Sequence, residues 1–406
     1  MRRSSPTTRG FQTALLLSAL AAAGSGCALS SAYIRADAGH GVPPAAPDAI
    51  DSTLLLIGDA GLPALNGPEP VLQALRAEAE LDPERTLVVF LGDNIYPNGS
   101  GLLGENDREH AETVLRLQVE AVGESGARGI FIPGNHDHRS DDWKAIQRQG
   151  EYIESLGYAR VELLPRNGCP GPEVLDLGEH LRLILIDSVW WIDDRPVSDE
   201  ARPGCATSSD EEVLAAISAA LAAAPDRRAV VVAHHPLAAH GQHGGFFTWK
   251  DHVFPLTKVK SWLWIPLPVL GSTYVWWRTH GHFGQDLSSS QYRHMIESLD
   301  EAFSVRPPLV HAAGHEHNLQ VLEGGSNLAY VLVSGAGSVA RAEHVSRGDD
   351  TLFASPEAGY MRIDALRDGR VRLEVVEVGE TGAIRRPWST WLVPEPRHPT
   401  SGAARP

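Results

Sequence analysis

The sequence predicts an α/β protein that carries its chemistry at the C-terminal ends of its strands. Three observations predict this. Short apolar runs alternate with longer segments of helical periodicity between residues 52 and 133, the order that parallel βαβ units with right-handed crossovers require. Five apolar runs end in small, polar turns: Gly58-Asp59-Ala60-Gly61, Gly92-Asp93-Asn94-Ile95-Tyr96, Gly134-Asn135-His136-Asp137-His138, Ala233-His234-His235-Pro236 and Gly314-His315-Glu316-His317. Finally, 406 residues with 43% hydrophobic and 21% charged composition can bury a full-sized globular core.

Taken in order, the chain begins with Arg2, Arg3 and Arg9 ahead of the apolar run Phe11 to Ala23, then Gly24-Ser25-Gly26-Cys27. This is the layout of a cleaved secretory signal over residues 1–27, and the run is too short for a transmembrane anchor. It resembles a bacterial lipoprotein signal, which implies that Cys27 is lipidated and becomes the mature N-terminus. Gly24 stands where that pattern usually has an apolar residue, so ordinary signal-peptidase cleavage near Ala23 to Ala28 is the alternative. The expectation is export, to the bacterial periplasm or to the outer membrane as an anchored lipoprotein. Only three Cys occur. With Cys27 lipidated, Cys169 and Cys205 remain; an oxidising compartment favours a disulfide between them, and two buried free thiols are the alternative.

Residues 28–51 are Pro- and Ala-rich and read as a linker. Ser52 to Ile57 reads as a strand. Glu69 to Leu81 places Val71, Leu72, Leu75 and Ala79 at helical spacing. Thr86 to Leu91 is a second strand, Asp107 to Val122 an amphipathic helix, and Gly129 to Pro133 a third strand. Ser140 to Leu156 reads as a helix, with Asp141 and Asp142 in its first turn, where they suit the dipole. Leu181 to Ile186 is a strand ending in Asp187-Ser188, and Asp210 to Ala224 an Ala-rich helix stopped by Pro225. Ala229 to Ala233, Pro308 to Ala313 and Leu328 to Val333 are buried strands, the last leading into Ser334-Gly335-Ala336-Gly337. Tyr360 to Ala365 and Val371 to Val378 flank Asp368-Gly369, a hairpin signal. The expected division is one domain over 52–345, then a β extension of the same domain and a tail over 346–406.

Residues 246–285 form an insertion of different character. Phe246, Phe247, Trp249, Phe254, Trp262, Trp264, Tyr274, Trp276 and Trp277 are interleaved with Pro255, Pro266 and Pro268, with Lys250, Lys258 and Lys260 nearby. The segment is too short and Pro-broken to span a bilayer. Such composition suits a membrane surface; a lid or extra layer packed on the body is an equal alternative.

The formal net charge of -16 argues against nonspecific nucleic-acid binding, which needs a basic footprint. It also means that attraction for a phosphate-bearing substrate must be local, from metals or clustered His. The five strand-end turns supply what a hydrolytic two-metal centre needs: acids at Asp59 and Asp93, an amide oxygen at Asn135, and imidazoles at His234, His315 and His317. Each alone is better explained as a turn or cap; the set is not.

Together these motifs resemble the calcineurin-like metallophosphoesterase superfamily, and Tyr96, three residues after Asp93, resembles purple acid phosphatases of the small tartrate-resistant type. The resemblance spans roughly residues 52–345. It implies an α/β/β/α sandwich of two mixed sheets flanked by helices, with a metal site at strand C-terminal ends. It implies one metal held by Asp59, Tyr96 and His317 and a second by Asn135, His234 and His315, with Asp93 bridging. The ions would be Fe(III) with Fe(II), Zn or Mn, the Tyr96 phenolate favouring the hard ion. Asn94, His136 and His243 would touch substrate, His243 protonating the leaving oxygen; His240 is a rival for that role, and His235 reads as structural. Ala60-Gly61 stands where many superfamily members have a His, a departure shared with purple phosphatases. The aromatic insertion has no counterpart in the small acid phosphatases.

The expected function is an exported phosphomonoesterase working by in-line attack of metal-bound hydroxide. A membrane-associated phosphodiesterase or phospholipid-headgroup hydrolase is the second reading, and a non-catalytic metal-binding protein the third.

Overall fold

Alternation within single strands decides which layers form. The computed structural model describes residues 28–39, 41–64, 67–97, 99–102, 107–138, 143–192, 204–260 and 262–393. Its strands are β1 (Tyr33–Ile34), β2 (Ile50–Ile57), β3 (Thr86–Phe90), β4 (Arg128–Phe131), β5 (Val161–Leu163), β6 (Glu173–Leu177), β7 (Leu181–Leu185), β8 (Arg228–Val232), β9 (Val310–Ala313), β10 (Leu319–Glu323), β11 (Tyr330–Ser334), β12 (Thr351–Ser355), β13 (Gly359–Leu366), β14 (Val371–Val378) and β15 (Ile384–Val393). In β2, Leu54 and Leu56 enter one apolar cluster while Leu55 and Ile57 enter another. β3 divides likewise, Leu87 and Val89 against Val88 and Phe90. A strand apolar on both faces must be covered on both.

The covering is a second sheet on one side and helices on the other. One sheet has the order β15-β14-β13-β2-β3-β4-β5, the other β1-β12-β10-β11-β9-β8-β7-β6. β2 to β5 run parallel, as do β7, β8, β9 and β11. The two sheets meet through Leu54, Val89, Val230, Val232, Leu332 and Met361, among others. The helices Pro70–Ala79, Arg108–Gly123 and Trp143–Ser155 cover the first sheet. The helices Asp210–Ala223 and Ser290–Ser304 cover the second. The result is two mixed sheets between helical layers, as the sequence implied. Helix Asp210–Ala223 starts where its cap chemistry says: the Ser209 side chain accepts from the Glu212 amide, with three acids in the first turn.

Several segments differ from their reading. Residues 28–51 are not a free linker: β1 pairs with β12, the Leu29 amide donates to the Val345 carbonyl, and β2 already begins at Ile50. Small and Pro-rich residues lie flat along sheet edges as readily as they stay in water, so composition does not separate the two. β15 escaped notice because Arg385, Arg386 and Pro387 break its apolar pattern, which an edge strand tolerates. β6, β10 and β12 are short and lie beside turns. Within the insertion, Pro268–Thr279 is a helix. β13 pairs antiparallel with both β2 and β14, so the chain after residue 346 completes the sheet that carries the first strands. Cys169 and Cys205 are joined in a disulfide. The signal segment with Cys27, and Asp141 and Asp142, lie outside the described residues.

Leu54 is fully buried between the sheets, whereas Leu81 is 74% exposed. Leu54→Ala is expected to cost about 2–5 kcal/mol and Leu81→Ala less than about 0.5 kcal/mol, read as the shift in urea midpoint at constant slope.

Candidate metal centre

Parallel strands send their C-terminal ends to one edge of a sheet, and here both sheets send theirs to the same place. β2, β3 and β4 lead into Asp59, Asp93 and Asn135; β8 and β9 of the other sheet lead into His234 and His315. Backbone bonds close the seam: the Gly58 amide donates to Ser334, Gly337 to Gly58, and Gly314 to His234. Asp59, Asp93 and His315 all sit in the left-handed region, with φ of 57°, 55° and 69°. Such backbone costs of order 1–3 kcal/mol per residue and persists where surrounding structure over-determines it. Two glycines let the turns approach. A Cβ on Gly92 would stand 2.7 Å from His234 Nδ1, and one on Gly134 would collide with Asp93.

The donors fall into two groups that share Asp93. The Tyr96 hydroxyl lies 2.8 Å from Asp59 Oδ1, 2.7 Å from Asp93 Oδ2 and 3.3 Å from His317 Nε2. Asn135 Oδ1 lies 3.0 Å from His234 Nε2 and 3.2 Å from His315 Nδ1. His234 Nε2 is also 3.5 Å from Asp93 Oδ1. Ligand atoms of Asp59, Asp93 and His234 all lie within 4.8 Å of one another, and all three residues are buried. Backbone carbonyls set the tautomers. His234 Nδ1 donates to Leu91 at 2.8 Å and His315 Nε2 to Gln285 at 2.9 Å, so the nitrogen facing Asn135 in each ring keeps its lone pair.

Electrostatics show a site with surplus negative charge. Burial works against the Asp93 carboxylate, but the adjacent imidazoles of His234 and His136 hold it below the usual carboxylate range. Burial also works against charge on His317, yet hydrogen bonds to Asp59 and Glu343 push its imidazole up to about 9. His234 is raised too, by Asp93 and Asp59 against its burial. Burial, with Asp59 and Asp93 adding to it, drives the Tyr96 phenol well up. A phenol has one proton, and Tyr96 faces two carboxylates; a cation placed among them would balance the remaining negative charge. Carboxylate, phenolate, amide and imidazole donors together suit Fe, Mn or Zn. The residues therefore fit metal ions. One protein cation is already close: Arg341 Nη2 lies 2.7 Å from His317 Nε2, and its guanidinium lies 4.2 Å from the Tyr96 ring centroid. A metal taking His317 Nε2 displaces that contact.

Behind the donors is a supporting layer that sequence reading missed or misassigned. Asp137 accepts from the amides of Gly134 at 2.8 Å, Asn94 at 3.0 Å and Ile95 at 3.1 Å, and from Gln149 Nε2 at 3.1 Å. Burial and the Asp93 charge push its carboxyl up to about 6. Asn94, expected from the resemblance to touch substrate, is buried, and its side-chain amide donates to Ile132 and Asp137, tying β3 to β4. His235 has both nitrogens engaged, by the Ser188 hydroxyl and Gln285 Oε1, each at 2.9 Å, which suits a structural role. His138 Nε2 meets Asp187 at 2.6 Å.

His136 and His243 flank the donors. The His136 amide donates to Asp93 Oδ1 and its Nδ1 to Pro97 at 2.7 Å, so ring orientation is set and Nε2 remains. The His243 ring lies 4.1 Å from that of His315, and its Nδ1 donates to Asp286 Oδ1 at 2.9 Å. Asp286 is in turn clamped by Arg278 from the insertion helix. His240 instead meets Asp350 at 2.5 Å. No motif signals Arg278, Asp286, Arg341 or Glu343.

The sequence matches the family model for calcineurin-like phosphoesterases over residues 52–319, about two thirds of the chain. The chain belongs to the calcineurin-like phosphoesterase family. Membership implies a metal-dependent phosphoric ester hydrolase, a family with a dinuclear site. Among solved structures, this phosphoesterase is similar to GAP50, the anchor in the inner membrane complex of Plasmodium, at 16% identity, 84% coverage of this chain, 90% of that chain and a TM-score of 0.48. No curated protein matches it.

Asp93→Ala is expected to cut bound metal by about tenfold or more by elemental analysis, because the Asp93 carboxylate reaches donors of both groups. Asn94→Ala, which loosens Asp137 without removing a donor, is expected to cost about 10–100-fold in metal affinity, read by titration with a competing chelator.

Proposed function

We propose that this phosphoesterase is exported and hydrolyses phosphate monoesters at a two-metal centre. One ion would sit among Asp59, Tyr96 and His317, the other among Asn135, His234 and His315, with Asp93 between them. The observation that carries the reading is that these seven side chains, drawn from both sheets, turn their donor atoms into one space. The proposed ions are Fe with Fe, Zn or Mn. When bound, they supply a lowered water pKa and positive charge opposite the phosphoryl oxygens.

The chain's own residues do the rest. His136, fixed by Pro97 and Asp93, presents Nε2 to a phosphoryl oxygen. His243 presents Nε2 to the leaving oxygen as the proton donor, while Asp286 accepts from Nδ1–H and fixes the ring's orientation. This is the orienting logic of a buried carboxylate behind a catalytic imidazole. Arg278, gripping Asp286, sets the angle of that carboxylate. Export is supported by the signal-like N-terminus and by the disulfide, which an oxidising compartment maintains.

Purified protein is expected to carry Fe with a second metal, to hydrolyse p-nitrophenyl phosphate, and to lose turnover after chelation and dialysis. A visible tyrosinate-to-iron band should vanish in Tyr96→Phe. Metal-loaded protein inert on a panel of soluble monoesters would overturn the reading. His243→Ala is expected to lower kcat by about 10²–10⁴, with Asp286→Asn falling between it and wild type.

A further inference from the structure

The helix Pro268–Thr279 has one buried stripe and one exposed apolar stripe. Its inner stripe, Gly271, Val275 and Arg278, is buried at spacings of four and three residues. Its outer stripe is Val269, Leu270, Trp276 and Trp277, and these stay 40–67% exposed. The connected loop adds Trp262 at 72% and Trp264 at 53%. Soluble surfaces rarely carry apolar patches this concentrated. At 12 residues the helix is about 18 Å long, well short of a bilayer's apolar core of about 30 Å. No helix among the described residues is long and apolar enough to cross a membrane.

Two features identify what covers this face. Lysines accompany the tryptophans: Lys250, on the short helix Trp249–Val253 that forms a hairpin with Pro268–Thr279, lies 5.7 Å from the Trp264 ring centroid, and Lys258, ion-paired to Asp251, and Lys260 follow that helix in the chain. Protein–protein contacts enrich Trp but deplete Lys, whereas the water–lipid boundary favours both, Trp at headgroup level and Lys with its stem in the apolar zone. The chain's net charge of -16 also opposes docking of a second copy.

We propose that this helical hairpin is an interfacial platform that seats the protein on a lipid surface, and that the ester hydrolysed is lipid-borne. The second part rests on the phosphoesterase reading above. The platform is mechanically joined to the site. Arg278 on the inner stripe holds both oxygens of Asp286, and Asp286 holds His243 against His315. Lipid contact on one side of the helix thus lies two contacts, Arg278–Asp286 and Asp286–His243, from the proposed proton donor. Binding comes chiefly from apolar insertion rather than charge, so zwitterionic vesicles suffice and moderate salt changes little.

The test uses full-length protein recovered from its host, so that any lipid on Cys27 is common to every sample. Wild type is compared with Trp262→Ser/Trp264→Ser/Trp276→Ser on phosphatidylcholine vesicles containing phosphatidic acid, a lipid phosphomonoester. Wild type is expected to co-sediment with vesicles and shift its Trp emission to the blue. The variant should partition roughly tenfold less or worse, hydrolyse phosphatidic acid correspondingly slower, and keep p-nitrophenyl phosphate turnover. Val259→Ser/Val269→Ser, on the same hairpin, should lose partitioning in the same direction. Equal partitioning of wild type and both variants would overturn the platform, as would wild type that stays in solution. So would wild-type self-association, lost in the variants, without vesicle binding. Vesicle binding with turnover of p-nitrophenyl phosphate but not phosphatidic acid would overturn the lipid-borne substrate. Vesicle binding with turnover of neither ester would leave the platform standing and overturn the phosphoesterase reading.

Discussion

The structure depends on bringing mutually repelling acids into one dry space. Asp59 and Asp93 are buried, share the Tyr96 hydroxyl, and lie on neighbouring strands of one sheet. Two carboxylates so placed are costly unless positive charge is brought to them. The protein recruits imidazoles from the other sheet, and the raised His317 and His234 report how strongly the acids demand it. A metal ion meets the same demand more fully. The inter-sheet core, the left-handed turns and the close glycines together hold these groups where they would not otherwise stay.

That constraint explains the layering. Donor groups that follow β2, β3 and β4 can meet donor groups that follow β8 and β9 only if both sheets present their C-terminal ends at one seam. The seam is made by small residues whose backbones bond across it, such as Gly58 with Ser334 and Gly337. The supporting shell follows the same rule. Asp137 gathers three backbone amides around one carboxylate, so the turns after β3 and β4 move as one body. The insertion joins this body through the Arg278–Asp286–His243 chain, which makes it a wall of the site rather than an appendage.

The motifs at the strand ends were legible because each consists of neighbouring residues whose types are unusual together. Gly-Asp, Gly-Asn-His and His-Glu-His after apolar runs carry ligand chemistry in their local spelling, and the continuous apolar runs in Ser52 to Ile57 and Thr86 to Leu91 identify buried strands. Asn94 was legible as part of a motif but not in its role, since burial, not identity, turns it towards Asp137. β15 and residues 28–51 were illegible because an edge position relaxes the pattern that marks a strand.

By itself, then, the order of residues determined the family, the alternating core strands and the donor types at five strand ends, because those depend on near neighbours. Tertiary structure alone decided that the ends come from two sheets, that Asp93 stands between the donor groups, and which nitrogen of each imidazole is committed. It also placed Arg341 beside His317 and Asp286 behind His243, and left the outer stripe of the helix Pro268–Thr279 exposed among the described residues. Those outcomes turn on contacts between residues tens to hundreds of positions apart, and distance in space at such separations is settled by packing, not by local pattern.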